Sequence, residues 1–299
     1  MNVIPNAAAA AGLDRLLIEL RPKLHRYCAR MVGSAIDGED VVQDALVKAV
    51  ASFPVAGPIG NPEGWLFRIA HNTALDFLRR RDRQERVRSR EEVDMIADPS
   101  DAVGSRQAAA ASLQTFMRLP VTQRSSVILM DVLGCSLQEI CEVMDFSRAA
   151  VKAALHRGRA RLSELADEPE DAPRPVLSQA ERVRLGAYVK HFNARDFDAI
   201  RDMIADDVRL DLVGKTRMSG KAEVSRYFGN YSKVQDWHLI PGLVEGRPAI
   251  LVCDPAAPSS KPKYFMLLRW DGGKVATIRD FRHASYVAES ADFSVAPAA

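Results

Sequence analysis

Residues 134–162, GCSLQEICEVMDFSRAAVKAALHRGRARL, decide the reading of this chain, because they spell two short helices joined by a tight turn. Ser136 and Glu139, three apart, make a capping box, in which each side chain takes up a free backbone N–H at a helix start. The spacing predicts a first helix from about Leu137, with Ile140 and Val143 facing inward and Asp145 in the turn. Ser147 offers a second N-cap, and beyond it Val151 and Leu155, four apart, share one helix face. Arg148, Lys152, His156 and Arg157 are then left pointing outward, with Ala153 on the same face. An aliphatic inner side and a basic outer side, entered through a short turn, have the geometry of a helix-turn-helix whose second helix enters the DNA major groove. A plain helical hairpin with a solvated basic face also satisfies this stretch alone, so the flanking sequence must discriminate.

Length and composition bound the alternatives. At 299 residues the chain is expected to hold two or three domains, each with its own core. Hydrophobic residues at 47% and charged residues at 27% are ordinary for a folded globular protein. The 41 basic and 39 acidic residues nearly cancel, so affinity for nucleic acid has to come from segregation of charge. Cys28, Cys135, Cys141 and Cys253 share no paired metal-ligand or redox spacing, and no secretory signal is read, so the expected location is a reducing cytoplasm. His25 and Cys28, three apart on a helix, are too few to make a metal site, and no metal or cofactor is expected. The longest apolar runs, 7–11 and 249–253, fall far short of the roughly 20 residues a membrane-spanning helix needs.

Segregation of charge is visible in the first hundred residues. Leu13, Leu16, Leu17, Leu20, Leu24, Tyr27 and Met31 recur at helical spacing over 13–32, with Pro22 expected to kink or divide the helix. Asp37 and Glu39 open a second helix, with Val42, Leu46, Ala49 and Val50 as its buried stripe and Asp40, Gln43, Asp44 and Lys48 outside. The segment 53–62, FPVAGPIGNP, holds three prolines and two glycines and is predicted irregular. A helix over 62–81 follows, with Trp65, Ile69 and Leu75 inward among Leu66, Ala70 and Leu78. It runs into Arg79, Arg80, Arg81, Arg83, Arg86, Arg88 and Arg90, against only Asp82 and Glu85. Three or four of these arginines suit any helix C-terminus; seven favour contact with a polyanion.

These residues resemble a known family. Asp37, Glu39, Asp40, Val42, Gln43 and Asp44, followed by Pro62, Trp65, Leu66, Ile69, Ala70, Asn72, Asp76 and Arg79 to Arg81, are similar to region 2 of sigma-70 factors of the extracytoplasmic-function group. Leu119, Pro120 and Arg124, with the helix-turn-helix, are similar to region 4. The resemblance implies region 2 over 13–90, an acidic linker over 91–110 and region 4 over 111–166, as two all-α DNA-binding domains. It implies core RNA polymerase and promoter DNA as partners, with Asp40, Gln43 and Asp44 on the polymerase. Asn72 is then expected to touch the minus-10 element, with Trp65 as structural anchor and Arg79, Arg80 and Arg81 on phosphates. Extruding a base costs a few kcal/mol of stacking, so a pocket with polar groups is needed there. On the minus-35 element the resemblance implies Lys152, Ala153, His156 and Arg157, with Arg148 near a phosphate. Asp145, Ala149 and Ala150 depart from the usual pattern of glycine, glycine and threonine, though aspartate tolerates the left-handed turn conformation. The acidic stretch 91–101, EEVDMIADPSD, reads either as a mimic of nucleic acid in the polymerase channel or as a solubilising tether.

The chain continues past 166. After a Pro-rich, acidic linker at 167–177, the sequence predicts a helix over 178–193 carrying Val183, Leu185, Val189 and Phe192, another over 197–204, and a strand on which Val208, Leu210 and Leu212 alternate with Arg209, Asp211 and Val213. A short helix over 220–231 and strands over 237–241, 249–253, 264–270 and 275–281 follow, with 271–274, DGGK, as a hairpin turn. Helices followed by a curled antiparallel sheet over 178–290, with 291–299 as a tail, make an α+β cone that resembles the SnoaL-like polyketide cyclase and nuclear-transport-factor-like superfamily. Such domains enclose a pocket, and Asp211, His238, Arg269, Asp280 and His283 are its candidate polar residues for a small-molecule ligand. An Asp and His pair can in principle serve as base and orienter, which leaves an isomerase or cyclase as one reading. A sensor or interaction domain is the better expectation, so no catalytic residue is assigned. The expected function is a promoter-specificity subunit regulated by its own C-terminal domain; a ligand-responsive helix-turn-helix regulator that is not a polymerase subunit is the alternative.

Overall fold

The computed structural model describes residues 7–88, 111–166, 175–257 and 261–296. The chain divides into two compact units, residues 1–171 and 172–299. The acidic linker over 91–110, Arg90, the side chains of Arg86 and Arg88, and most of the 167–177 linker lie outside the described residues.

The first unit is all helix. Helix α1 (Ala7–Val32) runs through Pro22, which does not divide it. Helix α2 (Ala35–Ser52) begins two residues before the predicted start, because the Ser34 hydroxyl accepts from the Asp37 N–H as N-cap. After the single 3-10 turn Phe53–Val55 comes α3 (Pro62–Arg88), which carries the arginine run inside the helix. Helices α4 (Leu113–Met117) and α5 (Val121–Val127) lead through a π-turn (Ile128–Val132) into α6 (Leu137–Met144) and α7 (Arg148–Ala166). The buried side chains of all these helices form one cluster, from Leu13 and Tyr27 through Phe67 to Ile140, Val151 and Leu162. Val50, expected in the buried stripe of α2, is instead 51% exposed. It lies at the edge of that stripe, where periodicity does not say which neighbour covers it.

Three side chains close the end of α1. The last carbonyls of a helix have no partner in the helix itself. Here Met31 O accepts from Arg124 Nη1 at 2.5 Å, Val32 O from Arg81 Nη1 at 2.9 Å and Gly33 O from Gln114 Nε2 at 2.9 Å. Arg68 of α3 likewise donates to the Glu142 carbonyl of α6, from Nε at 2.9 Å. At Gly158 a Cβ would stand 2.7 Å from Val127 Cγ2, so glycine sets how closely α7 packs on α5.

The second unit is α+β, as the sequence predicts, with two helices before the first strand and two more between strands. Helices α8 (Gln179–Asn193), α9 (Phe197–Met203), α10 (Lys221–Ser232) and α11 (Tyr286–Ser290) accompany strands β1 (Ile204–Leu212), β2 (Thr216–Ser219), β3 (His238–Val244), β4 (Arg247–Cys253), β5 (Tyr264–Asp271), β6 (Lys274–Asp280) and β7 (Phe293–Val295). The sheet order is β2-β1-β6-β5-β4-β3-β7. It is antiparallel except for the β1–β6 pair, which is parallel, where the sequence reading has an antiparallel sheet. Gly272 (φ 52°) and Gly273 (φ 81°) make the β5–β6 turn, which demands positive φ at both centres. Val183 of α8, expected inward, is 61% exposed, whereas Leu185, Val189 and Phe192 are buried. Strand β7 pairs with β3 within the stretch read as a tail.

Candidate nucleic-acid interface

Helices α2 and α3 flank an open hollow of about 460 Å³ lined by Lys48, Ala51, Ser52, Ile69, Asn72 and Thr73. Its exposed lining is mostly apolar, although Lys48, Ser52, Asn72 and Thr73 contribute to it beside Ala51 and Ile69. Lys48 Nζ donates to Thr73 Oγ1 at 3.2 Å and pairs with Asp76 at 3.4 Å, while the exposed Asn72 amide has no hydrogen-bond partner among the described residues. Behind it His71 is buried, its Nδ1 2.7 Å from the Tyr27 hydroxyl. Burial lowers the His71 pKa to about 4, so the ring is neutral where it meets Tyr27. Thr73 is buried, its hydroxyl donating to Ile69 O at 2.8 Å, so only Lys48, the half-buried Ser52 and Asn72 offer accessible polar groups. Trp65 is half-buried against Phe53, ring centroids 6.3 Å apart, which fits an anchoring part rather than an exposed one.

The arginines beside the pocket differ from one another. Arg79 and Arg80 are exposed and only loosely paired, with Asp76 at 3.4 Å and Asp44 at 3.8 Å. Arg81 is half-buried and turned onto Val32 O, so part of its role is to close α1. On α2, Asp40 and Asp44 are exposed, and Gln43 Oε1 accepts from Arg21 Nη2 at 2.8 Å. Val47 at 60% and Val50 at 51% exposure extend that face. The helix thus shows an acidic and apolar stripe, of which the sequence reading named only the polar half.

The helix-turn-helix forms as its caps dictate. Ser136 and Glu139 make both capping-box bonds, and Asp145 takes the left-handed conformation at φ 58°, ψ 45°. Ser147 Oγ accepts from the Ala150 N–H at 3.2 Å. Val151, Ala154, Leu155 and Gly158 are buried, which leaves Arg148, Lys152, His156 and Arg157 exposed on one side of α7 with Ala153 half-buried. Arg148 reaches back to Gln138 at 2.9 Å. The four side chains named from sequence are brought together.

The five ligand candidates of the second unit are not. Residues directly paired in a sheet share a face. Asp280 pairs with Met266 and Leu212, which are buried, whereas Asp211 pairs with Arg279 and Arg217, and Arg269 with Thr277. His238 pairs with Cys253, on the same side as Asp211 and Arg269, and His283 is exposed beyond the end of β6. Only Asp280 faces the interior, where its Oδ2 accepts from Tyr227 at 2.7 Å and Tyr231 at 2.8 Å and its Oδ1 from the Arg282 N–H at 2.8 Å. Tyr264 stands 3.2 Å from Tyr231, and Arg282 Nη1 donates to Tyr264 at 2.7 Å. Burial raises the Asp280 pKa, and the hydrogen bonds from Tyr227 and Tyr231 oppose that rise. The tyrosines were missed because nothing in their spacing marks them as partners of an aspartate on a distant strand. Among the described residues no cluster of His, Cys, Asp and Glu is placed to hold a metal ion, and no helix is long and apolar enough to cross a membrane.

Comparison with known proteins adds the following. The model described as Sigma-70 region 2 matches residues 16–84, and that described as Sigma-70, region 4 matches residues 113–162. The chain is 29% identical to the ECF RNA polymerase sigma factor SigG of Mycobacterium tuberculosis over 259 residues, covering 77% of this chain and 70% of that protein. An alignment of that length runs past the first unit into the second. It is 32% identical to SigM of the same species over 166 residues, covering 53% of this chain and 81% of SigM. Among solved structures it is similar to the M. tuberculosis extracytoplasmic function sigma factor SigJ, 20% identical with a TM-score of 0.34, covering 88% of this chain and 94% of that one.

Proposed function

The chain belongs to the extracytoplasmic-function family of RNA polymerase sigma factors, and from that membership we propose how its parts divide the work. It joins core RNA polymerase in the cytoplasm and directs initiation at promoters with defined minus-10 and minus-35 elements. The hollow between α2 and α3 takes a base flipped from the minus-10 element, read by Asn72 with Lys48, Ser52 and Thr73 beside it and Ile69 against its face. Arg79 and Arg80 hold neighbouring phosphates. Lys152, His156 and Arg157 meet the minus-35 bases, Ala153 offers an apolar contact, and Arg148 sits near a phosphate. The face of α2 with Asp40, Gln43, Asp44, Val47 and Val50 docks on the polymerase. The chemistry of transcription belongs to polymerase, so no catalytic residue is assigned to this chain, and the C-terminal unit acts in cis as a regulator.

The observation that carries this reading is the open, mostly apolar hollow between α2 and α3, with the unpartnered Asn72 amide at its edge and the exposed Arg79 and Arg80 further along the same helix. A conventional helix-turn-helix regulator has no use for it. Run-off transcription with purified core polymerase tests the reading, together with permanganate footprinting of the melted strand. Template-directed transcripts and an open minus-10 region are expected only when the chain is added. If the purified chain neither associates with core polymerase nor opens the promoter, the reading fails.

A further inference from the structure

The sheet of the second unit has two unlike faces. Inward stand Val208, Leu210, Leu212, Met266, Ile278 and Asp280, all buried. Outward, the register of β2, β1, β6 and β5 lays out two rows, Ser219–Arg209–Thr277–Arg269 and Arg217–Asp211–Arg279–Leu267. With Asp207, exposed two residues before Arg209 on β1, this face holds four guanidinium groups against two carboxylates. Asp211 is shared, 3.5 Å from Arg217 Nε and 3.6 Å from Arg279 Nε. Arg209 and Arg269 are exposed, and neither has a carboxylate at ion-pair distance among the described residues; Arg269 donates to Thr277 Oγ1 at 3.2 Å. The surplus positive charge is therefore local and faces solvent, although the whole chain is nearly neutral.

We propose that this outer face is a third nucleic-acid contact, which grips the phosphate backbone of duplex DNA without reading sequence, through Arg209, Arg217, Arg269 and Arg279. Neighbouring strands stand about 4.8 Å apart, so Arg209 and Arg269, separated by β6, rise about 10 Å from each other. A duplex carries one charge per roughly 1.7 Å of axis, and guanidinium forks fit phosphate oxygens. The Ser219 and Thr277 hydroxyls between them are further phosphate donors. The two rows carry no aromatic side chain, which argues against single-stranded nucleic acid, where bases stack on aromatic rings. The site is separate from the contacts assigned above, all of which lie in the first unit.

The test uses the full-length chain with Arg209, Arg217 and Arg269 replaced by alanine. Arg279 is kept because it packs over the Phe281 ring at 5.3 Å. Binding of a duplex lacking promoter elements, followed by fluorescence anisotropy across a salt series, is expected to lose about two to three from its log–log salt slope, at about 0.9 per phosphate contact. Affinity at low salt should fall at least about tenfold, and the three arginine-to-lysine changes should restore most of it. An unchanged slope overturns the proposal. In the complex with core polymerase and an upstream-extended promoter, p-benzoylphenylalanine in place of Thr277 is expected to crosslink to DNA. Crosslinks only to a polymerase subunit or to the chain itself overturn the proposal, because an acidic protein surface then covers the face. Neither the salt series nor its outcome involves initiation, so failure here leaves the sigma-factor reading intact.

Discussion

The buried guanidinium of Arg124 donates to the carbonyl oxygen of Met31 at 2.5 Å, and so ties the middle of α5 to the end of α1. Its other nitrogen holds Leu119 O at 2.9 Å and Met117 O at 3.2 Å. Replacing Arg124 with methionine leaves these acceptors without a donor. A loss of about 1–3 kcal/mol in the stability of the first unit is expected by urea unfolding. Lysine keeps the charge but not the fork, so Arg124→Lys should fall between. A variant as stable as the parent would show that water replaces the guanidinium without cost.

Asn72 is exposed, so Asn72→Ala should leave the melting temperature unchanged while weakening promoter opening. Loss of a base contact of this kind is worth about 1–3 kcal/mol, or roughly 10- to 100-fold in open-complex formation. Fluorescence of 2-aminopurine placed in the minus-10 element reports it directly. Opening at the parental rate would remove Asn72 from the pocket's function.

Arg157→Ala should cost about 1–3 kcal/mol at particular minus-35 positions and little elsewhere. Selection of active promoters from a randomised minus-35 library separates this from general weakening. If the variant initiates normally on a minus-35-dependent promoter, the assignment of Arg157 is wrong.

Asp280 gives the second unit a pH signature. Burial raises its folded-state pKa above the unfolded value of about 3.9, so folding favours the protonated form. Its favourable contribution is complete below that unfolded value and is lost as pH rises through the folded pKa. Asp280→Asn lacks the titration. The melting temperature of the parent, relative to this variant, should therefore decline as pH climbs from about 4. A constant difference between the two across that range would contradict the argument.

Removal of residues 178–299 is expected to alter promoter activity, in either direction, in the reconstituted transcription assay. Equal activity and equal affinity for core polymerase would remove the regulatory role of the C-terminal unit.

Much of this architecture is legible in the sequence where local chemistry is decisive. Ser136, Glu139, Asp145 and Ser147 specify the helix-turn-helix by satisfying backbone groups, and DGGK specifies a hairpin by its φ values. Where the outcome depends on distant neighbours, the sequence is silent. Nothing around Arg124 announces that its charge is buried, or that Thr73 and Ser52, 21 positions apart, line one hollow. The misplaced ligand set was partly avoidable. Asp211 is out of phase with Val208, Leu210 and Leu212, and Arg269 is out of phase with Met266 and Leu268, so strand alternation alone puts both on the face opposite the core. Val50 and Val183 show the converse limit, since an apolar residue at the edge of a helical stripe need not be covered.

The helices of regions 2 and 4 enclose a single hydrophobic cluster, so heat cannot dissolve one set and spare the other. Cooperativity follows shared packing rather than family boundaries. A calorimetric scan of the free chain should therefore resolve two endotherms, not three, and a cavity cut at Phe67 should lower the same peak as one cut at Ile140.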